Sequence, residues 1–174
     1  MSALIESFER LEATRAETVS WVDQRVERYR TKPDPECWSY CQVMNHVMNS
    51  EEGSLSYVKK KLGDPSTLTR AGLRNSIRSV MLSIALRSPF RFRAPAVLPP
   101  PSNDLEWDEQ RARWEEIRVE WRGILEKYPA ELLGAEIFRH PVAGRITIGQ
   151  TLVFMQEHLD HHRRQLRRVE ARLA

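Results

Sequence analysis

The 174 residues include 41% hydrophobic and 29% charged side chains and carry a net charge of +3, a balance that excludes a disordered or membrane-embedded chain and fits a soluble globular one. No apolar run approaches the length a bilayer requires, and two cysteines cannot build a disulfide framework. The 27 lysines and arginines read as a solvated helical surface, because so small a net charge generates little field for a nucleic acid.

The N-terminal stretch MSALIESFERLEATR carries acids and helical periodicity, without an apolar secretory core or a cleavage site, so a cytoplasmic protein is expected. Ser2 to Tyr29 predicts a first helix. Leu4, Phe8, Leu11, Thr18, Val22 and Tyr29 hold its apolar seam, with Arg15 the one discordant member. Pro33 and Pro35 end it in the polar connector TKPDPE. Cys37 and Cys41 follow, at a spacing that suits free thiols.

A second helix is expected from Trp38 or Ser39 to about Leu62. Tyr40, Met44, Val47, Leu55, Val58 and Leu62 form its stripe, and Glu51 interrupts it. His46 lies one residue off the stripe among Gln42, Val43, Asn49, Ser50 and Gly53. Such small and polar neighbours line sites, and solvated faces share them. Gly63, Asp64 and Pro65 supply the stop.

Thr67 to Ser88 predicts a shorter helix with Leu73, Ile77, Val80, Met81 and Ile84 inward. The five prolines from Pro89 to Pro101 then force an extended strap, laid on the bundle by Phe90, Phe92, Ala94 and Val97. Asn103 or Asp104 is the expected cap of a third long helix, Leu105 to Tyr128, which Pro129 stops. Its seam of Trp107, Trp114, Ile117, Trp121, Ile124 and Tyr128 reads as core.

The closing stretch, HPVAGRITIGQTLVFMQEHLDHHRRQLRRVEARL from His140 to Leu173, opens with a turn at Pro141 and Gly144 and a cap at Thr147. Ile148, Leu152, Met155, Leu159, His162, Leu166, Val169 and Leu173 then step by fours and threes. One seam position therefore carries an imidazole, and His158 projects from nearly the same face one turn earlier. The pattern predicts an all-α four-helix bundle without a sheet, as one domain over residues 1–174. A short helix and a proline-rich strap are expected between its second and third long helices. Trp114, Ile117 and Trp121 are expected to face Leu152, Leu159 and Leu166 across the core.

His158 and His162 have the one-turn spacing that lets two ring nitrogens share a cation. His46 is the best third ligand. His161 is rotated about 100° from His162 and reads as solvated, beside Arg164 and Arg168. His140 reads as a turn residue. A histidine on a seam can equally be a core residue bonded to a backbone carbonyl or to Glu51, so on spacing alone metal and core readings stand level. No HExxH is present, because Leu159 follows His158, and no second ExxH pair supports a di-iron centre. Gln42, Asn49 and Glu51 are candidates for supporting or proton-handling groups around such a site.

WSYCQVMNHVMNSEE after a first long helix, together with HPVAGRITIGQTLVFMQEHLDHH near the C-terminus, resembles the DinB-like (YfiT-like) superfamily of bacterial proteins. The resemblance implies a four-helix bundle and a divalent metal ion held by one histidine of the second helix and an HxxxH of the last. On this chain those are His46, His158 and His162. It further implies a metal-dependent enzyme with a small-molecule substrate, some relatives being S-transferases or isomerases that use low-molecular-weight thiols such as mycothiol or bacillithiol. No thiol-binding residue is matched by motif. Zinc, nickel and iron suit three imidazoles about equally. A homodimer is the expected assembly, with no membrane or nucleic-acid partner. The competing reading is a non-catalytic metal-binding or regulatory helical module.

Overall fold

Two capping boxes set where the histidine-bearing helices begin. Ser39 accepts from the Gln42 backbone N–H while its own N–H donates to the Gln42 side chain, and Thr147 and Gln150 repeat the exchange. The computed structural model describes residues 3–72, 81, 83–84, 86–87, 100–141 and 143–174. Its four long helices are α1 (Ala3–Asp23), α2 (Tyr40–Gly63), α3 (Trp107–Glu126) and α4 (Ile148–Leu173). Leu73, Ile77 and Val80 of the expected short helix, and Phe90, Phe92, Ala94 and Val97 of the strap, lie outside the described residues.

Side-chain pairs fix the helix directions. Glu9 meets Arg122 at 2.6 Å and Asp23 meets the Trp107 indole at 2.6 Å, so α1 and α3 run antiparallel. Thr14 meets Gln156 at 3.0 Å and Arg25 meets Glu170 at 3.3 Å, so α1 and α4 run parallel. Asn49 with Arg113 at 3.0 Å and Lys59 with Glu120 at 2.6 Å make α2 and α3 parallel. Consecutive parallel helices require a connection that travels back along the bundle, which is why the segment between α2 and α3 is long. Each of α1 and α2 packs against both α3 and α4, which leaves α3 and α4 on a diagonal. Trp114, Ile117 and Trp121 accordingly share one buried cluster with Leu152, Leu159 and Leu166 across the centre.

Several expectations need correction. The fold is not free of sheet. Two three-residue strands, β1 (Phe138–His140) and β2 (Gly144–Ile146), pair antiparallel with Phe138 opposite Ile146 and His140 opposite Gly144. Gly144 takes φ 74°, a conformation open to glycine at no steric cost. Helix α1 stops at Asp23 rather than Tyr29. The Arg25 guanidinium donates to the Trp21 carbonyl at 2.9 Å and lies 4.1 Å over its ring, and a short 3-10 turn, Val26–Arg28, carries the chain on to buried Tyr29. Neither Asn103 nor Asp104 caps α3. Its N-cap is Glu106, without a side-chain cap bond, while Asn103 bonds Ser39 and the Arg30 carbonyl. Met81 and Ile84 are 65% and 64% exposed, not inward.

Glu51, the break in the α2 stripe, is buried against a residue that the seam of α3 passes over. Its carboxylate accepts from Trp114 Nε1 at 2.8 Å and from Arg118 at 2.6 Å, and Arg118 also faces Glu12 at 3.3 Å. Arg15, discordant on α1, pairs with Glu12 and Glu115 at the edge of the same network. Among the described residues, no helix is long and apolar enough to cross a membrane.

Candidate metal centre

His46 stands in the second turn of α2, because the Ser39 capping box fixes the phase of that helix. His158 and His162 stand one turn apart on α4, phased by the box at Thr147. The antiparallel approach of α2 and α4 brings all three rings together, each 9% exposed or less. His158 Nε2 lies 3.2 Å from His46 Nε2 and 3.1 Å from His162 Nε2. The group could hold a metal ion, since one ligand atom from each ring lies within 4.8 Å of the others.

Hydrogen bonds alone cannot satisfy this arrangement. His162 Nδ1 lies 2.8 Å from Gln165 Oε1. That oxygen can only accept, so Nδ1 carries the proton and the neutral ring presents a bare lone pair at Nε2. If His158 Nε2 carries its proton it can serve one neighbour only and the other contact is unmade, and if it does not, its lone pair faces that of His162. Two imidazoles bound to one ion at about 2.0–2.1 Å place their nitrogens roughly 3 Å apart, and the observed separations match.

The electrostatics agree. Burial pushes the His46 imidazole down to about 4, aided by the nearby charge of His161. Burial also holds His158 and His162 well below the usual histidine range, with His46 and His161 adding to the effect at both. The three rings are therefore neutral near pH 7, the state that ligates metal. The walls are aromatic: the Trp38 ring lies tilted 5.3 Å from His46, and Phe154 lies 5.3 Å from His158.

The other two histidines stay outside. His140 is buried at the end of β1, where its Nδ1 accepts from the Ala143 N–H at 3.0 Å, a turn role as expected. His161 is half-buried instead of solvated, because its Nδ1 meets the Leu86 carbonyl at 3.2 Å. The expected supporting groups are engaged elsewhere. Gln42 closes its capping box and donates to the Pro101 carbonyl, Asn49 bonds Asn45 and Arg113, and Glu51 belongs to the Arg118 network. The supporting residue is Gln165, which sequence reasoning passed over. Its signal was the three-residue offset from a seam histidine, which places the two side chains on one helix face.

The sequence profile of the DinB superfamily matches residues 10–166, a span that includes all three clustered histidines. No curated protein and no solved structure matches the chain.

Proposed function

The chain belongs to the DinB superfamily, and on that premise we propose that it is a metal-dependent enzyme whose His46, His158 and His162 hold one divalent ion. The observation that supports this most strongly is the approach of His158 Nε2 to 3.2 Å from His46 Nε2 and 3.1 Å from His162 Nε2, while Gln165 commits the opposite nitrogen of His162. Three protein ligands leave a coordination position open, as catalytic sites do and closed structural sites do not. Zinc, nickel and iron remain the candidates, since three imidazoles suit each of them. A bound ion would supply Lewis acidity, lowering the pKa of a coordinated water or thiol. Around it, Gln165 orients His162, and Trp38 and Phe154 limit access of water to the imidazoles. The substrate class proposed is a small molecule bearing or accepting a thiol.

Cobalt substitution tests this reading. The cobalt-loaded protein is expected to show visible bands that shift when a low-molecular-weight thiol is added, and the His162→Ala variant is expected to show neither bands nor shift. Cobalt bands that ignore every added thiol would contradict an open catalytic position.

A further inference from the structure

The clustered imidazoles are not held alike. Gln165 orients His162 through its Nδ1, whereas His46 Nδ1 has no hydrogen bond among the described residues, and the Trp38 ring borders it at 5.3 Å. The placement of His46 therefore depends on where the first two turns of α2 stand. Helix ends fray, while ligand distances at a metal ion are held to within about 0.2 Å. Those two turns need an anchor.

Residues 101–105, just ahead of α3, meet them with four side chains from the opening of α2. Ser39 bonds the Asn103 side chain, and the Cys41 thiol lies 3.5 Å from both the Ser102 and the Leu105 carbonyl. Gln42 donates from Nε2 to the Pro101 carbonyl at 3.3 Å while its Oε1 accepts from the Ser39 N–H. Asn45, only 5% exposed, accepts at Oδ1 from the Ser102 N–H at 3.1 Å and from Asn49 Nδ2 at 3.2 Å. Asn49 Oδ1 accepts in turn from Arg113 of α3 at 3.0 Å. A chain of bonds thus runs from Ser102 through Asn45 and Asn49, the residues on either side of His46, to α3. An irregular segment needs partners for its backbone groups, and many polar surfaces could supply them. Here they come from the two turns that carry His46. One of them, Gln42, closes the capping box with one end and holds the segment with the other.

We propose that residues 101–105 form a clamp that sets the position of His46 against α4, with Gln42 and Asn45 as positioning residues for the metal centre. The consequence for metal binding rests on His46 being a ligand; the placement of its ring does not.

The test uses the full chain and two readouts: the His46 ring proton by nuclear magnetic resonance without metal, displaced by the Trp38 ring, and cobalt affinity by titration. Gln42→Glu is the decisive variant. A glutamate keeps the acceptor that the capping box needs but cannot donate to the Pro101 carbonyl, so the helical melt is expected to stay as in the wild type. The His46 ring proton is nevertheless expected to move toward its position in an unfolded chain, and cobalt affinity is expected to fall about tenfold. Asn45→Ala is expected to do the same, and Asn45→Asp, which keeps the acceptor for Ser102, is expected to restore the ring signal. A His46 ring proton at its wild-type position in both Gln42→Glu and Asn45→Ala, or a cobalt affinity unchanged in both, would overturn the proposal and leave the segment a packing element alone. Should the wild type bind no cobalt, the metal reading fails, while the ring proton still decides the clamp.

Discussion

A neutral imidazole offers one lone pair, and the partner of its other nitrogen decides where that lone pair points. At His162 the partner is Gln165. Gln165→Leu keeps the helix and removes the acceptor, so metal affinity is expected to fall about 10–100-fold. A chelator-competition titration measures this, and an unchanged affinity would mean that Gln165 does not orient the ligand. The Glu51–Arg118 pair makes a different residue-scale statement. Both side chains are almost wholly buried, and removing Glu51 leaves the Arg118 charge only the longer contact with Glu12 at 3.3 Å. Glu51→Ala is expected to cost about 3–5 kcal/mol in chemical denaturation, whereas replacing both by apolar residues of similar volume should cost much less.

Acid supplies a further residue-scale test. His46 and His140 are each held at about 4 by burial, against an ordinary value near 6.5. Between those values the unfolded chain takes up protons that the folded chain refuses. Each histidine's contribution is therefore present in full above about 6.5 and is lost as pH falls toward 4. The metal-free protein should lose thermal stability over that window, and His140→Gln should flatten part of the slope, since a protonated His140 can no longer accept from Ala143. A melting temperature independent of pH across the window would contradict buried, neutral imidazoles.

At the scale of elements, local chemistry was legible where it repeats and obscure where it is brief. The eight-position seam of α4 and the Thr147 cap could be read directly, because each step of three or four places a side chain on one face. Thr147→Ala should cost about 1 kcal/mol through the lost cap, measurable as a lowered melting temperature with helical content preserved. Strands of three residues, as in β1 and β2, are too short for a period of two to show. The end of α1 was obscure for another reason. Tyr29 keeps the seam phase and is buried, but it arrives through a 3-10 turn held by Arg25, which apolar spacing alone cannot distinguish from continued helix. Arg118 and Gln165 escaped because a charged or amide side chain on a helix reads as surface unless its partner on another element is known.

For the whole molecule, the histidines were legible because one of them replaces a hydrocarbon in an otherwise unbroken seam. The core does not depend on them: Phe8, Leu11, Tyr40, Met44, Trp114, Trp121 and Leu152 belong to one buried apolar cluster that includes none of the three imidazoles. Chelation should therefore leave a cooperative helical melt, with only the contribution of bound metal lost. Outright unfolding on chelation would favour a structural ion.

The most direct measurement on the three-histidine centre is X-ray absorption at the metal edge of zinc-loaded protein, compared with His46→Ala and His162→Ala. The expected result is one ion per chain with imidazole scattering from three nitrogens at about 2.0–2.1 Å, falling to two in whichever variant still retains metal. A spectrum without imidazole scattering, or one unchanged by both substitutions, would contradict the assignment of His46, His158 and His162 as its ligands.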